Sequence, residues 1–172
     1  MQVAQNLGYT YISKPNPNNR TSTLQFIIYK GEERVVGDTP FYEGLARGIK
    51  DEAYRLGYHH VITSYYYANQ DAQEQIRALK TIKGKGLILL ATEMHANDII
   101  KFERFGVPIV LLDSWFPSKN LNSVAIDNQR AAWKATEYLI NCGHRKIGYL
   151  EANISIRNFL ERRDGYMQAM YT

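Results

Sequence analysis

Cysteine and long apolar runs are the two things this sequence most conspicuously lacks. Its single thiol, Cys142, can form neither an internal disulfide nor a cysteine-based structural zinc site, which points to a reducing compartment. No stretch approaches the roughly 20 apolar residues of a membrane-spanning helix. The start, MQVAQNLGYTYISK, lacks the basic and then apolar segments of a secretory signal. These absences predict a cytoplasmic protein that does not associate with membranes.

Signatures of catalysis and of cofactor binding are also lacking. The sequence contains neither a G-x-S-x-G elbow nor a G-x-x-x-x-G-K-[ST] phosphate loop. The four histidines have no metal-ligand spacing, and Cys142 fits a packing residue at a helix end better than a nucleophile. We therefore expect no enzyme activity, no cofactor and no metal site.

What the sequence does contain is enough apolar material for a core, 45% of 172 residues. Its net charge of +4 is dispersed, which is compatible with a nucleic-acid partner but does not establish one. Tyrosine is abundant, with 13 residues, and Tyr65 to Tyr67 form a run. Two interpretations of this run stay open: the end of a strand, or an exposed aromatic surface for a partner or ligand.

Beyond residue 22, strand and helix patterns alternate. Short apolar runs predict six strands: Thr23–Lys30, His60–Tyr66, Gly86–Ala91, Val107–Leu112, Ser123–Ile126 and Lys146–Leu150. Apolar residues at helical spacing predict the helices Phe41–Leu56, Ala72–Ile82, Ala96–Phe105, Asn128–Cys142 and a last one ending at Met170. Alternation of this kind predicts an α/β fold: a doubly wound parallel sheet with helices on both faces and the first strand central.

Ligands of such sheets bind beyond the carboxyl ends of the strands. This rule selects the loops after the first, fourth and sixth predicted strands. Their candidate site residues are Thr39, Phe41, Tyr42, Asp113, Ser114, Trp115, Asn158 and Arg162. Aromatic faces with carboxylate, amide and guanidinium groups suit a sugar-like polyol. Individually, Phe41 also fits a core residue, Asp127 a helix cap and Arg162 a surface ion pair.

One longer stretch carries a family resemblance. From Ser123 to Leu150 the order is a strand, Asp127-Asn128, a helix, Gly143-His-Arg-Lys-Ile147 and another apolar run. This order resembles the signature of the LacI/GalR family of bacterial transcriptional regulators. Arg162-Arg-Asp-Gly-Tyr166 is similar to the family's Arg-x-x-Gly-aromatic element, whose arginine contacts effector. Asp38-Thr-Pro-Phe-Tyr42 is similar to its Asn-Pro-aromatic-aromatic element, which adds Asp38 to the candidate site.

The resemblance implies a periplasmic-binding-protein-like type I fold, of which this chain holds the first lobe. It assigns residues 1–22 to a remnant of the DNA-binding headpiece and its linker, 23–144 to the N-terminal lobe and 145–172 to the start of the C-terminal lobe. Pro15 and Pro17 stand where the family has its hinge helix, so we expect no such helix. With the second lobe mostly missing, we expect four apolar residues to be exposed: Ile147, Tyr149, Leu150 and Phe159.

The function that the resemblance implies is the sensing of a small-molecule effector, a sugar or related metabolite, by a repressor that binds operator DNA through its headpiece. It also implies a homodimer, with Arg47, Lys50, Glu52 and Tyr54 on the outer face of the first helix as candidate contacts. The alternative is the sugar-binding protein of an ABC transporter, which would need a secretory signal or a lipoprotein cysteine. A flavodoxin-like enzyme would need a phosphate-binding loop after the first strand, where Gly31-Glu-Glu-Arg34 is too acidic.

Overall fold

The computed structural model describes residues 22–32, 35–37 and 39–171. The expectations for the headpiece remnant, the proline-containing linker and Asp38 lie outside these residues. Within the described ranges, strands and helices alternate as the sequence predicts. The strands are β1 Thr23–Lys30, β2 His60–Tyr67, β3 Gly86–Leu90, β4 Ile109–Leu112 and β5 Asn122–Val124. The helices are α1 Pro40–Arg55, α2 Ala72–Lys80, α3 Ile99–Glu103, α4 Asn128–Asn141 and α5 Arg157–Met170.

The five strands form one parallel sheet in the order β2-β1-β3-β4-β5. Residue Leu24 of β1 is paired with Val61 of β2 on one side and with Gly86 of β3 on the other. The parallel α/β fold is therefore confirmed, but β3 lies at the centre, so the expectation of a central first strand was wrong. The chain moves from β1 outward to β2 and then returns past β1 to β3. This reversal opens a crevice between the carboxyl ends of β1 and β3, where ligands of such sheets bind.

Helices cover both faces of the sheet. On one face, Phe26, Ile28 and Leu90 pack with Leu45 and Ile49 of α1. On the other face, Ile27, Leu89 and Leu111 pack with Leu79 of α2 and Phe102 of α3. Neighbouring residues of a strand point to opposite faces, which is why the apolar runs of β1 and β3 have no polar alternation.

The tyrosine run forms the end of β2, and its side chains alternate between the core and the surface. Tyr66 is buried and stacks on Tyr29 with the ring centroids 5.4 Å apart. Tyr65 and Tyr67 point to the other face of the edge strand, where both are exposed and their centroids lie 6.2 Å apart. The alternation of a strand thus divides the run into one core residue and two surface residues.

Local sequence explains where the longer helices begin. Asp127 caps α4 by accepting a hydrogen bond of 3.0 Å from the Arg130 amide, so its interpretation as a helix cap is confirmed. Thr39 occupies the cap position of α1 and Pro40 its first turn, but the Thr39 side chain makes no capping hydrogen bond within the described residues.

The prediction of a sixth strand over Lys146–Leu150 was wrong. It is not a strand, because no strand of the described part lies beside it to pair with its backbone. Instead, Tyr149 stacks on Tyr166 of α5, and the Tyr166 hydroxyl donates to the Ile147 carbonyl at 2.7 Å. Leu150 is 97% exposed, as expected. Ile147, Tyr149 and Phe159 are partly buried, so for them the expectation of exposure was wrong.

Helices α4 and α5 pack directly on each other through Gly165. A Cβ atom at Gly165 would lie 2.0 Å from the Gln129 carbonyl oxygen, a distance that no side chain tolerates. The missing side chain therefore lets the two helix backbones approach. This approach fixes the position of α5, whose first turns point to the carboxyl ends of the strands.

Candidate ligand-binding site

The candidate site centres on Asp113, the residue that follows β4. Its carboxylate is 5% exposed and accepts hydrogen bonds from the Thr92 hydroxyl at 2.7 Å and from the Asn158 amide at 3.1 Å. Thr92 follows β3, and Asn158 lies in the first turn of α5. Three separate segments of the chain therefore meet at one carboxylate.

The backbone of Asp113 is strained and its charge is buried. Its φ of 62° is in the left-handed region, which residues with a side chain seldom adopt. Burial raises the pKa of Asp113, while the hydrogen bonds from Thr92 and Asn158 and the positive charge of Arg162 act in the opposite direction. Strain and a buried carboxylate together are typical of a position that serves binding rather than folding.

Arg162 is held by the buried Asn128. The Arg162 Nε donates to the Asn128 Oδ1 at 2.9 Å, and the Asn128 amide donates to the Ile126 carbonyl at 3.1 Å. Arg162 is thus not part of a surface ion pair in the described residues. Its planar guanidinium has further donors, and its charge acts on both Asp113 and Tyr42.

Trp115 is connected to α5 by two side chains. Its indole Nε1 donates to Glu161 at 2.9 Å, and the Arg157 guanidinium lies 3.7 Å above the centre of the ring. Arg157 also donates to Glu161 at 2.8 Å, so each of the three side chains contacts the other two. One face of the indole is therefore covered by Arg157, while 39% of the residue stays exposed.

The first turn of α1 contributes Tyr42 to the same region. Burial is the main cause that raises the pKa of Tyr42, the charges of Asp113 and Glu93 raise it further, and Thr92 and Arg162 lower it. Phe41 packs edge-on against Tyr42 with centroids 5.1 Å apart and is 46% exposed, so it is a surface ring rather than a core residue. Thr39 is also exposed.

Ser114 is buried next to Asp113, and its hydroxyl has no hydrogen-bond partner among the described residues. A buried polar group without a partner costs about 1–3 kcal/mol. An unpaired hydroxyl beside the strained carboxylate therefore favours a bound polar molecule at this position.

Four residues of this cluster were not among the predicted site residues: Thr92, Asn128, Arg157 and Glu161. Thr92 could have been found from the sequence, because it directly follows the apolar run Gly86 to Ala91 and so stands at the carboxyl end of a predicted strand. Asn128 belongs to the Asp127-Asn128 pair, which in the sequence indicates a helix start and part of the family signature but not a site residue. Arg157 and Glu161 had no signal of their own, since their role depends on how α5 is packed.

A parallel sheet with a polar cluster beyond its carboxyl ends is the architecture of a ligand-binding domain. A family model described as periplasmic binding proteins and sugar binding domain of the LacI family matches residues 26–172. The chain belongs to this family. In the described residues, no helix has both the length and the apolar character needed to cross a membrane.

Curated relatives are transcriptional regulators. The chain is 30% identical over 158 residues to the HTH-type transcriptional regulator GalR of Escherichia coli K12, covering 91% of this chain and 46% of GalR. It is 30% identical over 175 residues to the HTH-type transcriptional repressor CytR of the same strain, covering 98% of this chain and 48% of CytR. The chain thus spans about half the length of the curated relatives that it matches.

Solved structures share the fold. A complex of the transcriptional regulator CelR with cellobiose matches with a TM-score of 0.71 at 24% identity, covering 99% of this chain and 50% of CelR. A periplasmic solute-binding protein of an ABC transporter from Actinobacillus succinogenes, with bound D-allose, matches with a TM-score of 0.65 at 15% identity, covering 88% of this chain and 54% of that protein. At these identities the likeness concerns the fold alone.

Proposed function

We propose that this chain is the effector-sensing part of a cytoplasmic LacI-type transcriptional repressor, and that a sugar or related small metabolite binds beside Asp113. The observation that carries the proposal is the meeting of Thr92, Asp113 and Asn158 at one buried carboxylate. The family match and the regulators among the curated relatives support the same function.

The chemistry of the cluster suits a polyol. The Asp113 carboxylate accepts hydrogen bonds from hydroxyl groups, while the guanidinium of Arg162 donates two parallel bonds to neighbouring oxygens. The rings of Tyr42 and Trp115 offer apolar faces on which the C–H groups of a sugar can pack. The role is one of binding, with no reaction at the site.

Ligand binding is coupled to the rest of the repressor through α5. Asn158 and Arg162 belong to this helix; Asn158 contacts Asp113 after β4, and Arg162 contacts Asn128 at the start of α4. In our proposal, α5 opens a second lobe from residue 145 onward, and a ligand that contacts both sides stabilises their closed arrangement. Closure changes the arrangement of the two headpieces of a homodimer on operator DNA, which is coupling between two sites through a two-state element.

The alternative is the sugar-binding protein of an ABC transporter, and the D-allose-bound solute-binding structure is the observation that favours it. The two functions differ in what the full-length protein does with DNA. A repressor releases or binds its operator when the sugar is added, whereas a transport protein has no operator.

The proposal is tested by isothermal titration calorimetry of the full-length protein with cellobiose, sucrose, glucose and D-allose, the sugars bound in the related structures. At least one is expected to bind, and Asp113→Asn is expected to weaken it by about tenfold or more, because the buried acceptor loses its charge. Asp51→Asn, an exposed position on α1, is the control. Equal affinities of the two variants would remove Asp113 from the site.

A further inference from the structure

Thr92 and Glu93, which follow β3, form hydrogen bonds to the segments after the two strands that flank β3. Thr92 donates to Asp113 beyond β4, as described above, and Glu93 accepts a hydrogen bond of 2.5 Å from the backbone amide of Val36, 57 residues earlier in the chain. Val36 lies between β1 and α1. Because β3 is flanked by β1 and β4, these two side chains tie the strand end at the centre of the sheet to the segments on both sides of it.

Glu93 is enclosed by the segment that it binds. The residue is 6% exposed. A Cβ atom at Gly31 would lie 2.8 Å from the Glu93 Oε2 and 2.9 Å from the Glu93 Cβ, so the backbone at Gly31 rests directly on this side chain. Val36 is itself buried against Phe26, Ile28 and Leu90. The backbone is therefore held at Gly31 by a contact and at Val36 by a hydrogen bond, ahead of Thr39 and Tyr42.

We propose that Glu93 is a positioning residue that holds Val36, and through it Tyr42 at the start of α1, at the ligand site. This inference rests on the proposed function, because that function places a ligand next to Tyr42. Glu93 acts through the Val36 amide, which donates to its Oε1. Without the anchor, the segment samples other conformations, and binding has to restore the order that Glu93 otherwise provides.

Amide hydrogen exchange at Val36 in the ligand-free, full-length protein tests the anchor. Glu93→Ala removes the acceptor, and the exchange of this amide is expected to accelerate by about tenfold or more. Glu93→Gln retains an acceptor oxygen of the same reach and is expected to restore most of the protection. Urea unfolding of each variant separates local opening from a loss of global stability. Unchanged exchange at Val36 in folded Glu93→Ala would overturn the proposal.

A pair of glycine variants tests the same contact without removing the carboxylate. Gly31→Ala places a methyl group against Glu93 and is expected to accelerate exchange at Val36, whereas at Gly37 a Cβ meets nothing within 4 Å. Gly37→Ala is therefore the matched control in the same segment. Equal exchange in the two variants would contradict the anchoring contact, and this comparison stays decisive if Glu93→Ala does not fold.

Calorimetry with a sugar that binds the wild type supplies the readout specific to positioning. Glu93→Ala is expected to weaken binding by about tenfold, and Glu93→Gln to restore it. Unchanged affinity in a variant whose Val36 amide has become labile would overturn the positioning role and leave the proposed function intact. If none of the sugars binds even the wild type, the proposed function is contradicted, and the exchange comparison still decides whether Glu93 holds the segment.

Discussion

Asn158 on α5 donates a hydrogen bond of 3.1 Å to Asp113, which precedes it by 45 residues and directly follows β4. Both side chains are buried, and the backbone of Asp113 is in the left-handed region. This bond joins the last helix of the chain to the sheet at the candidate site. A ligand that contacts Asp113 therefore acts on the docking of α5 as well.

Removing the Asn158 amide is expected to destabilise the docking of α5. Asn158→Ala leaves the buried Asp113 carboxylate with one hydrogen bond fewer, and the free energy of unfolding is expected to fall by about 1–3 kcal/mol. Urea denaturation measures the change. Asn153→Ala, at an exposed position in the preceding loop, is the control and is expected to change stability by less than about 0.5 kcal/mol. A loss that is the same for both variants would contradict the role of the bond.

Asp113 is expected to make stability depend on pH in the direction opposite to most carboxylates. Because burial raises its pKa in the folded protein above the ordinary value of 3.8, the folded state holds this proton more tightly than the unfolded state does. Its contribution is therefore complete below pH 3.8 and is lost as the pH rises through the raised pKa. The unfolding free energy of Asp113→Asn, minus that of the wild type, is expected to increase as the pH rises from about 4.

Asp98 is the control for this pH experiment, because Lys101 and the His95 amide bond its carboxylate and its pKa is lowered despite partial burial. Its contribution is present above the ordinary value of 3.8 and is lost as the pH falls through the lowered pKa. Relative to the wild type, Asp113→Asn is thus expected to gain stability as the pH rises, and Asp98→Asn as the pH falls. A parallel pH dependence would contradict the buried state of Asp113.

Two glycines are expected to respond in opposite ways to a methyl group. Gly165→Ala drives a Cβ into the Gln129 carbonyl, so α4 and α5 have to separate, and we expect a loss of about 1–3 kcal/mol or more in the free energy of unfolding. Gly48 lies within α1, where a Cβ meets nothing within 4 Å, and Gly48→Ala is expected to stabilise by about 0.5–1 kcal/mol. Denaturant midpoints measure both. A tolerated methyl at Gly165 would contradict the close approach of the helices.

The spacing of apolar residues, with the glycines and prolines that bound the elements, was sufficient to predict the alternation of strands and helices. The apolar runs of β1 and β3 and the helical spacing along α1 are local signals. The order of the strands is not local, which explains why the central position of β3 was missed. Lys146–Leu150 has a strand-like composition, yet a strand forms only where a neighbour pairs with it. The apolar content of this segment could not reveal that such a neighbour is absent from the described part.

The candidate site likewise contains residues that could be predicted from the sequence and contacts that could not. Asp113 could be predicted because it ends an apolar run at the edge where ligands bind, and Asn158 and Arg162 because one helical turn places them on the same face. The cover of Trp115 by Arg157 and the anchor between Glu93 and Val36 could not be predicted, because each joins segments far apart in the chain. The position of Arg157, for example, depends on the packing of α5 against α4 at Gly165.

The proposed binding of a sugar at the site formed by Asp113 and Arg162 is the central claim, and calorimetry of the full-length protein carrying Arg162→Lys tests it most directly. A lysine keeps the charge but cannot donate in the fork geometry of a guanidinium. We expect a loss of about 1.5–3 kcal/mol, roughly tenfold to a hundredfold in affinity, for a sugar that binds the wild type. Arg163→Lys, on the exposed neighbouring position, is expected to bind like the wild type. Wild-type affinity in an Arg162→Lys variant that circular dichroism shows to be folded would contradict the account.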